Sequence, residues 1–265
     1  QVVRKAASDR PIIMDPATRL VFVEVQEPDM HEPSGDLERL SQALASQWQI
    51  AGIEAGPAVL RKLQTVLRKG NWAVTAAVFR DHHGGTPKLL DIFPGLYEGA
   101  LAGLAIDLGS TTIAAHLCDL RTGEVLASGG IMNPQIRFGE DLMSRVSYAM
   151  MNPGGDVEMT KAVRLSMNAL AQTVAAEAGI DPGAIMETVV VCNPVMHHLF
   201  LGIDPFELCQ ALYAVSGDTT AGEQILRNKL KSASEVAVAA SLSEITPDGM
   251  RAVTIGTDAL TGVGG

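Results

Sequence analysis

A short polar turn between two apolar strands constrains this sequence more than any other feature. LAI (104–106) predicts a strand, the turn DLGSTT (107–112) follows it, and IAAHLCDL (113–120) predicts a second strand directly afterwards. An aspartate, a glycine and three hydroxyl side chains at this point replace residues that would otherwise add to hydrophobic burial. We therefore expect the turn to hold a ligand.

The residue types in this turn favour a phosphate ligand. Gly109 lets the backbone come close to a bound group, and successive N–H groups in a tight turn form an anion-binding nest. Ser110, Thr111 and Thr112 add hydroxyl donors, and Asp107 is suited to hold Mg²⁺ through water. The alternative is an ordinary hairpin whose polar side chains bond their own backbone. The turn matches neither a P-loop nor a dinucleotide-binding fingerprint.

Composition narrows the function class. The 265 residues suffice for one or two domains, and the net charge of -10 argues against a nucleic-acid partner. No apolar run approaches the length of a membrane helix. Cys118, Cys192 and Cys209 are widely spaced, which indicates a reducing, cytoplasmic setting and offers no framework for a metal cluster. The N-terminus lacks a signal peptide, and we expect the sequence to be part of a longer chain.

Periodicity predicts two domains, 1–99 and 100–265. In the first, strands are predicted at 20–25, 72–79 and the segment KLLDIF, with helices starting near Asp36 and at Pro57, which makes a small α+β unit. In the second, strand, turn and strand are followed by helices and by another strand, the order typical of an α/β domain. Those later elements are predicted at 124–130, 138–151, 156–179 and 187–192.

Several stretches together resemble one protein family. AIDLGSTTIAAHLCDLRTGEVL is similar to the first phosphate motif of the acetate and sugar kinase, Hsp70 and actin superfamily. NPQIRFGEDLMSRVSYAMMNP and VVVCNPVMHHLFLGIDP resemble the ATP-dependent reductive activators of corrinoid proteins. Upstream, DPATRLVFVEV and GDLERLSQAL extend the same resemblance, which covers about residues 10 to 205.

The resemblance implies a fold and an activity. The fold would be an α+β middle domain with a linker (1–99), followed by an actin/Hsp70-like, ribonuclease H-like ATPase lobe (100–265). ATP and Mg²⁺ would drive reduction of a Co(II) corrinoid to Co(I) on a partner methyltransferase protein. Asp107 would be catalytic and hold the metal, while Gly109, Ser110, Thr111, Thr112 and Asn193 would bind the nucleotide. Relatives also carry a 2Fe–2S domain, absent from this sequence, and suggest a homodimer.

The tail departs from the family pattern after about Leu208. AVTIGTDALTGVGG (252–265) is similar to a second phosphate motif and makes Gly256 and Thr257 nucleotide-binding candidates. The acid expected two residues before Gly256 is Thr254, however, and Asp258 follows instead. The alternative is an apolar strand that ends in a turn. The superfamily's later adenosine-binding loop has no room before Gly265, so either the second lobe is truncated or this segment is unusual.

Other polar residues have both functional and structural interpretations. His82 and His83 are expected to be exposed in a glycine-rich turn rather than to bind a metal ion. Met196-His197-His198 is likewise expected to begin a helix, with one histidine packed and one exposed, rather than to bind a metal ion. Asn133-Pro134-Gln135 and Gly139-Glu140-Asp141 follow the hairpin and suit either the nucleotide cleft or a helix start. Asn193 suits a ligand site at a strand end or a turn. Cys118 and Cys192 are expected to be inert core residues.

Two rival functions stay open on the sequence. One is a docking or dimerisation module that would bind the corrinoid partner without hydrolysing ATP. A small-molecule kinase of the same superfamily is the other alternative, although no substrate-site pattern supports it.

Overall fold

The computed structural model describes residues 14–31, 33–81, 84–206 and 253–257. The chain divides into two compact units. Among the described residues, the first unit, here the N-terminal unit, comprises those of Pro11–Ala102 and Asp119–Glu124, and the second, the C-terminal unit, contains Gly103–Cys118 and those from Val125 onward. Each unit contains its own sheet, so the mixed α/β class predicted from the sequence is confirmed.

The N-terminal unit is a four-stranded sheet with two helices. Its strand order is β1-β3-β4-β2, with β1/β3 and β3/β4 antiparallel and β2/β4 parallel. The elements are β1 (Thr18–Glu24), α1 (Asp36–Trp48), β2 (Glu54–Ala55), α2 (Pro57–Lys69), β3 (Ala73–Phe79) and β4 (Lys88–Pro94). The predicted strands and helices of this region are all present, and the two-residue strand β2 is an addition.

The helices of this unit begin where the sequence predicts. Pro57 occupies the first turn of α2, where its missing N–H and preset φ suit a helix start. Asp36 and Glu38 lie in the first turn of α1, where their charges complement the helix dipole. Both helices bury a leucine stripe in the core that also contains the inner face of the sheet. These leucines are Leu40, Leu44, Leu63 and Leu67.

The C-terminal unit is built on a five-stranded sheet of order β7-β6-β5-β8-β9. β6 pairs antiparallel with β7, and β8 pairs parallel with β9. The elements are β5 (Ala102–Leu108), β6 (Thr112–Asp119), β7 (Val125–Met132), α3 (Leu142–Met151), α4 (Gly155–Glu177), β8 (Ile185–Cys192), α5 (Pro194–Leu201) and β9 (Val253–Thr257). The strand predicted near residue 253 is therefore present.

Close packing of α4 on the sheet depends on a glycine in β7. A Cβ atom at Gly129 would lie 2.9 Å from Cγ1 of Val174 and 3.0 Å from Cδ1 of Leu170. Both of those residues belong to the buried stripe of α4, which also includes Met159, Val163 and Met167. The missing side chain thus lets the helix approach the sheet and bury an aliphatic core.

Two boundaries differ from the prediction for local reasons. Strand β5 continues through Leu108, so Asp107 lies within the strand and the turn contains only residues 109–111. The helix predicted from residue 138 begins at Leu142, because the Asp141 carboxylate caps it by accepting a bond from the Ser144 amide at 2.7 Å. The preceding Pro134–Phe138 form a 3₁₀ helix.

Some predictions fall outside the described residues. These concern His82, His83, Cys209 and Asp258. Within the described ranges, no helix combines the length and the apolar character needed to span a bilayer.

Candidate functional site

The turn between β5 and β6 is tight and closed by its own backbone. The Gly109 amide donates to the Thr112 carbonyl oxygen at 3.0 Å. A Cβ atom on Gly109 would lie only 2.6 Å from that same oxygen, so this geometry requires glycine. Ser110 is half-buried and Thr111 is exposed, so the turn lies at the surface of the unit.

All three carbonyl groups of the turn are held by neighbouring residues. The Asn133 side-chain amide donates to Gly109 O at 2.8 Å, and the Asn133 backbone amide donates to Thr111 O at 2.8 Å. Nη2 of Arg145 donates to Ser110 O at 2.6 Å. Asn133 and Arg145 are almost fully buried, with 1% and 0% exposure. The carbonyl groups therefore point toward the interior of the unit.

This arrangement sets the direction of the amide groups. In a trans peptide the N–H lies opposite the preceding C=O. With Gly109 O and Ser110 O directed inward, the N–H groups of Ser110 and Thr111 point the other way. Neither amide donates a hydrogen bond to any residue in the described ranges. The turn thus presents adjacent free donors, the geometry of an anion-binding nest.

Asp107 lies beside this turn and close to the end of β8. Burial of the Cys192 thiol, which is the larger cause, and the charge of Asp107 raise the pKa of that thiol to about 12. The two side chains are therefore near one another. Cys192 is the last residue of β8 and pairs in register with Thr257 of β9. The ends of β5, β8 and β9 therefore meet at one edge of the sheet. Asp107, Asn193 and the Gly256-Thr257 backbone are brought to that edge.

Asn193 has a structural partner in its own helix. Its side-chain oxygen accepts a bond from the Met196 amide at 3.0 Å, which makes it the N-cap of α5. Asn193 is half-buried, so the cap does not remove it from the sheet edge. The two interpretations of Asn193, cap and ligand contact, are both compatible with this position.

The histidines of α5 differ from the prediction. His197 and His198 are both buried, with 1% and 5% exposure, whereas one of the two was expected to be exposed. The reason is that α5 is apolar on all sides and packs within the unit. Burial, the larger cause, and the neighbouring His198 lower the pKa of His197 to about 4, so it is neutral at physiological pH.

The described cysteines are separate from one another. Cys192 is buried, as expected of a core cysteine. Cys118 was also expected in the core but is only half-buried. Burial raises the pKa of the Cys118 thiol as well, which leaves it protonated and unreactive. The described ranges contain no grouping of three or more His, Cys, Asp or Glu side chains suited to a metal ion.

The sequence analysis missed the support of the turn. The sequence pattern places Asn133 only in a segment that suits the nucleotide cleft or a helix start, and it predicts no role for Arg145. The available signal for Arg145 was that it is the single cation of α3, at a position where the helix periodicity predicts burial. Gln135 also lies in this region, fully buried, and donates to the Met159 carbonyl at 3.0 Å.

Comparisons with known proteins point to one family. A model described as the RACo linker region matches residues 7–99, and a model described as the RACo middle region matches residues 102–246. The models thus apply the word linker to the first segment and the word middle to the second. Together these matches cover most of the chain.

Two individual relatives agree with the family models. The corrinoid activation enzyme RamQ of Eubacterium limosum is 32% identical over 122 residues, which cover 46% of this chain and 21% of that protein. The solved structure of a reductive activator for corrinoid, iron-sulfur protein matches with a TM-score of 0.65 at 35% identity. That match covers 77% of this chain and 32% of the solved chain. The chain therefore spans at most about a third of these relatives.

Proposed function

Since this chain belongs to the RACo family, whose linker and middle regions it contains, we propose that it is part of a cytoplasmic, ATP-dependent reductive activator of corrinoid proteins. In such an activator the energy of ATP drives reduction of Co(II) to Co(I) on a corrinoid partner protein. The names of the two relatives, which refer to corrinoid activation, support the same reaction class.

The observation that carries the nucleotide part of this proposal is the orientation of the 109–111 turn. Its carbonyl groups are held from the buried side by Asn133 and Arg145, which leaves the Ser110 and Thr111 amides without an acceptor among the described residues. Such donors suit phosphate oxygens without any lysine. The hydroxyl groups of Ser110, Thr111 and Thr112 lie in the same turn and add further donors.

Asp107 is the residue that we assign to Mg²⁺. Mg²⁺ takes oxygen ligands, keeps several waters and commonly uses only one or two protein carboxylates beside substrate phosphates. Asp107 fits this role because it is half-buried at the strand end that leads directly into the turn. When bound, the metal would neutralise charge on the phosphates, and the turn and Asp107 would position them for in-line attack.

The 2Fe–2S cluster expected in relatives does not fit the described cysteines. Cys118 and Cys192 lie in different strands, β6 and β8, and burial raises the pKa of both thiols. We therefore assign nucleotide-dependent coupling, and not electron transfer, to the described part of this chain.

The first experiment is calorimetric titration of this chain with Mg²⁺ and a non-hydrolysable ATP analogue. Asp107→Asn is the matched variant, because it keeps the shape of the side chain and removes only its charge. Binding by the parent protein and a loss of at least about tenfold in affinity in the variant would support the assignment. Equal binding by both proteins would refute the role of Asp107.

Partner docking without hydrolysis is the second candidate. It is favoured by an exposed methionine surface on α3, formed by Met143, Met150 and Met151 with 40%, 57% and 74% exposure. Flexible methionine side chains are common at protein-binding surfaces. Under this hypothesis, a corrinoid protein would bind the chain with the same affinity in the presence and absence of the ATP analogue. Under the main proposal, the nucleotide would change that affinity.

A further inference from the structure

Arg145 of α3 is buried without a carboxylate partner. Its exposure is 0%, and no ion pair joins it to an acidic residue in the described ranges. A guanidinium stays protonated, and burial of a charge is unfavourable unless strong hydrogen bonds offset the lost hydration. The position of this arginine therefore requires a specific set of acceptors.

Those acceptors come from three separate parts of the C-terminal unit. Nη2 donates to Ser110 O in the turn at 2.6 Å, and Nε donates to Gly139 O, before α3, at 2.9 Å. Nη1 lies 3.5 Å from the sulfur of Met196 at the start of α5. The planar fork of arginine can reach all three at once, which a lysine ammonium cannot do with the same geometry.

The segment that carries Arg145 is itself closely packed. Asp141 caps α3 through the Ser144 amide at 2.7 Å, which sets the start of the helix. A Cβ atom on Gly139 would lie 2.7 Å from the Arg145 backbone nitrogen, so the loop and the helix are in direct contact there. The guanidinium is therefore held by a rigid base, and its contact with Ser110 O restrains the turn.

We propose that Arg145 is a positioning residue for phosphate binding. By holding Ser110 O, it turns the following Thr111 N–H toward the ligand, and it joins the turn to the starts of α3 and α5. It also places a positive charge one peptide group behind the anion site. A change in the turn on nucleotide binding would thereby be transmitted to two helices. This inference rests on the proposed function of the turn.

The first test measures the turn without any ligand. Amide hydrogen exchange is followed at Gly109 and Asn133, whose N–H groups donate to Thr112 O and Thr111 O. In Arg145→Met, which removes a charge-assisted bond, we expect both amides to exchange roughly ten- to a hundredfold faster. Arg145→Lys keeps the charge and should give an intermediate rate, and it serves if the methionine variant fails to fold.

Arg164→Met is the matched control. Arg164 lies in α4, and its Nε donates to Phe200 O near the end of α5 at 2.8 Å. The substitution therefore removes a comparable arginine–carbonyl bond in the same unit. We expect exchange at Gly109 and Asn133 to be unchanged in this variant. Faster exchange in both variants to the same extent, or in neither, would overturn the positioning role.

The second test is titration with the Mg²⁺–ATP analogue. The expected result is an affinity at least about tenfold lower in Arg145→Met, intermediate in Arg145→Lys and unchanged in Arg164→Met. Binding by the parent with equal binding by Arg145→Met would overturn the inference and leave the proposed function standing. Absence of binding by the parent would overturn the proposed function, and hydrogen exchange would then decide alone whether Arg145 holds the turn.

Discussion

Replacement of Gly109 by alanine tests the geometry of the turn directly. The added Cβ would lie 2.6 Å from the Thr112 carbonyl oxygen, which is a backbone atom that cannot rotate away. An ordinary contact at this position is about 3.4 Å, so one side of the turn must move by about 0.8 Å. That movement disturbs the 3.0 Å bond from the Gly109 amide to the same oxygen.

The magnitude follows from these two effects. Loss of the hydrogen bond costs about 1 kcal/mol, and crowding of a packed site costs about 1 to 3 kcal/mol. We therefore expect the free energy of unfolding to fall by about 2 to 4 kcal/mol. Because the turn would also shift by almost an ångström, the affinity for the Mg²⁺–ATP analogue should fall at least about tenfold.

The assay is urea denaturation followed by far-ultraviolet circular dichroism, with calorimetric titration beside it. Gly35→Ala is the control, because Gly35 has a φ of -77° and a Cβ there would meet no atom within 4 Å. The control should lose less than about 1 kcal/mol, as is usual when glycine before a helix is replaced by alanine. A Gly109→Ala protein with the stability and the affinity of the parent would refute the described turn.

Two further predictions concern buried ionisable side chains. Lys62 pairs with Asp91, which is only 2% exposed. Lys62→Met leaves the Asp91 charge buried and unpaired by Lys62, so it should destabilise the N-terminal unit by roughly 2 to 3 kcal/mol. Adding Asp91→Asn removes that charge and should recover much of the loss. Both tryptophans, Trp48 and Trp72, lie in that unit, so tryptophan fluorescence during urea denaturation measures its stability. Equal stability of the parent and the Lys62→Met variant would contradict this prediction. Because the pKa of buried His197 is lowered from 6.5 to about 4, the unfolded chain binds more protons below pH 6.5. Stability should therefore fall, by up to about 3 kcal/mol, as pH decreases from 6.5 to 4. His197→Leu should reduce this pH dependence. An unchanged slope of stability against pH in the variant would refute the assignment of that dependence to His197.

The secondary structure was largely predictable because its signals are local. The β-branched run at 20–25, the leucine spacing of α1 and the proline that opens α2 each depend on neighbours within a few residues. The errors also have local causes. The Asp141 cap delays the start of α3, and pairing within the sheet extends β5 past Asp107.

The site was predictable only as a set of candidates. The glycine and hydroxyl pattern indicated the 109–112 turn, and their positions at predicted strand ends made Asp107 a metal candidate and Asn193 a ligand candidate. Whether an amide in that turn is free depends on what its carbonyl neighbours bind, and those partners are 24 and 35 residues away in the sequence. No periodicity or spacing rule connects Gly109 with Asn133, or Ser110 with Arg145.

Residue patterns in the chain therefore decide where strands, helices and the polar turn occur, since backbone preferences and amphipathic periodicity act over short distances. Tertiary packing decides the direction in which the turn presents its donors. Asn133 and Arg145 are carried to the turn by the segment after β7 and by α3, and their burial makes the contacts with its carbonyl groups strong. Packing likewise buries both histidines of α5, because the environment of a side chain is set by all the elements around it.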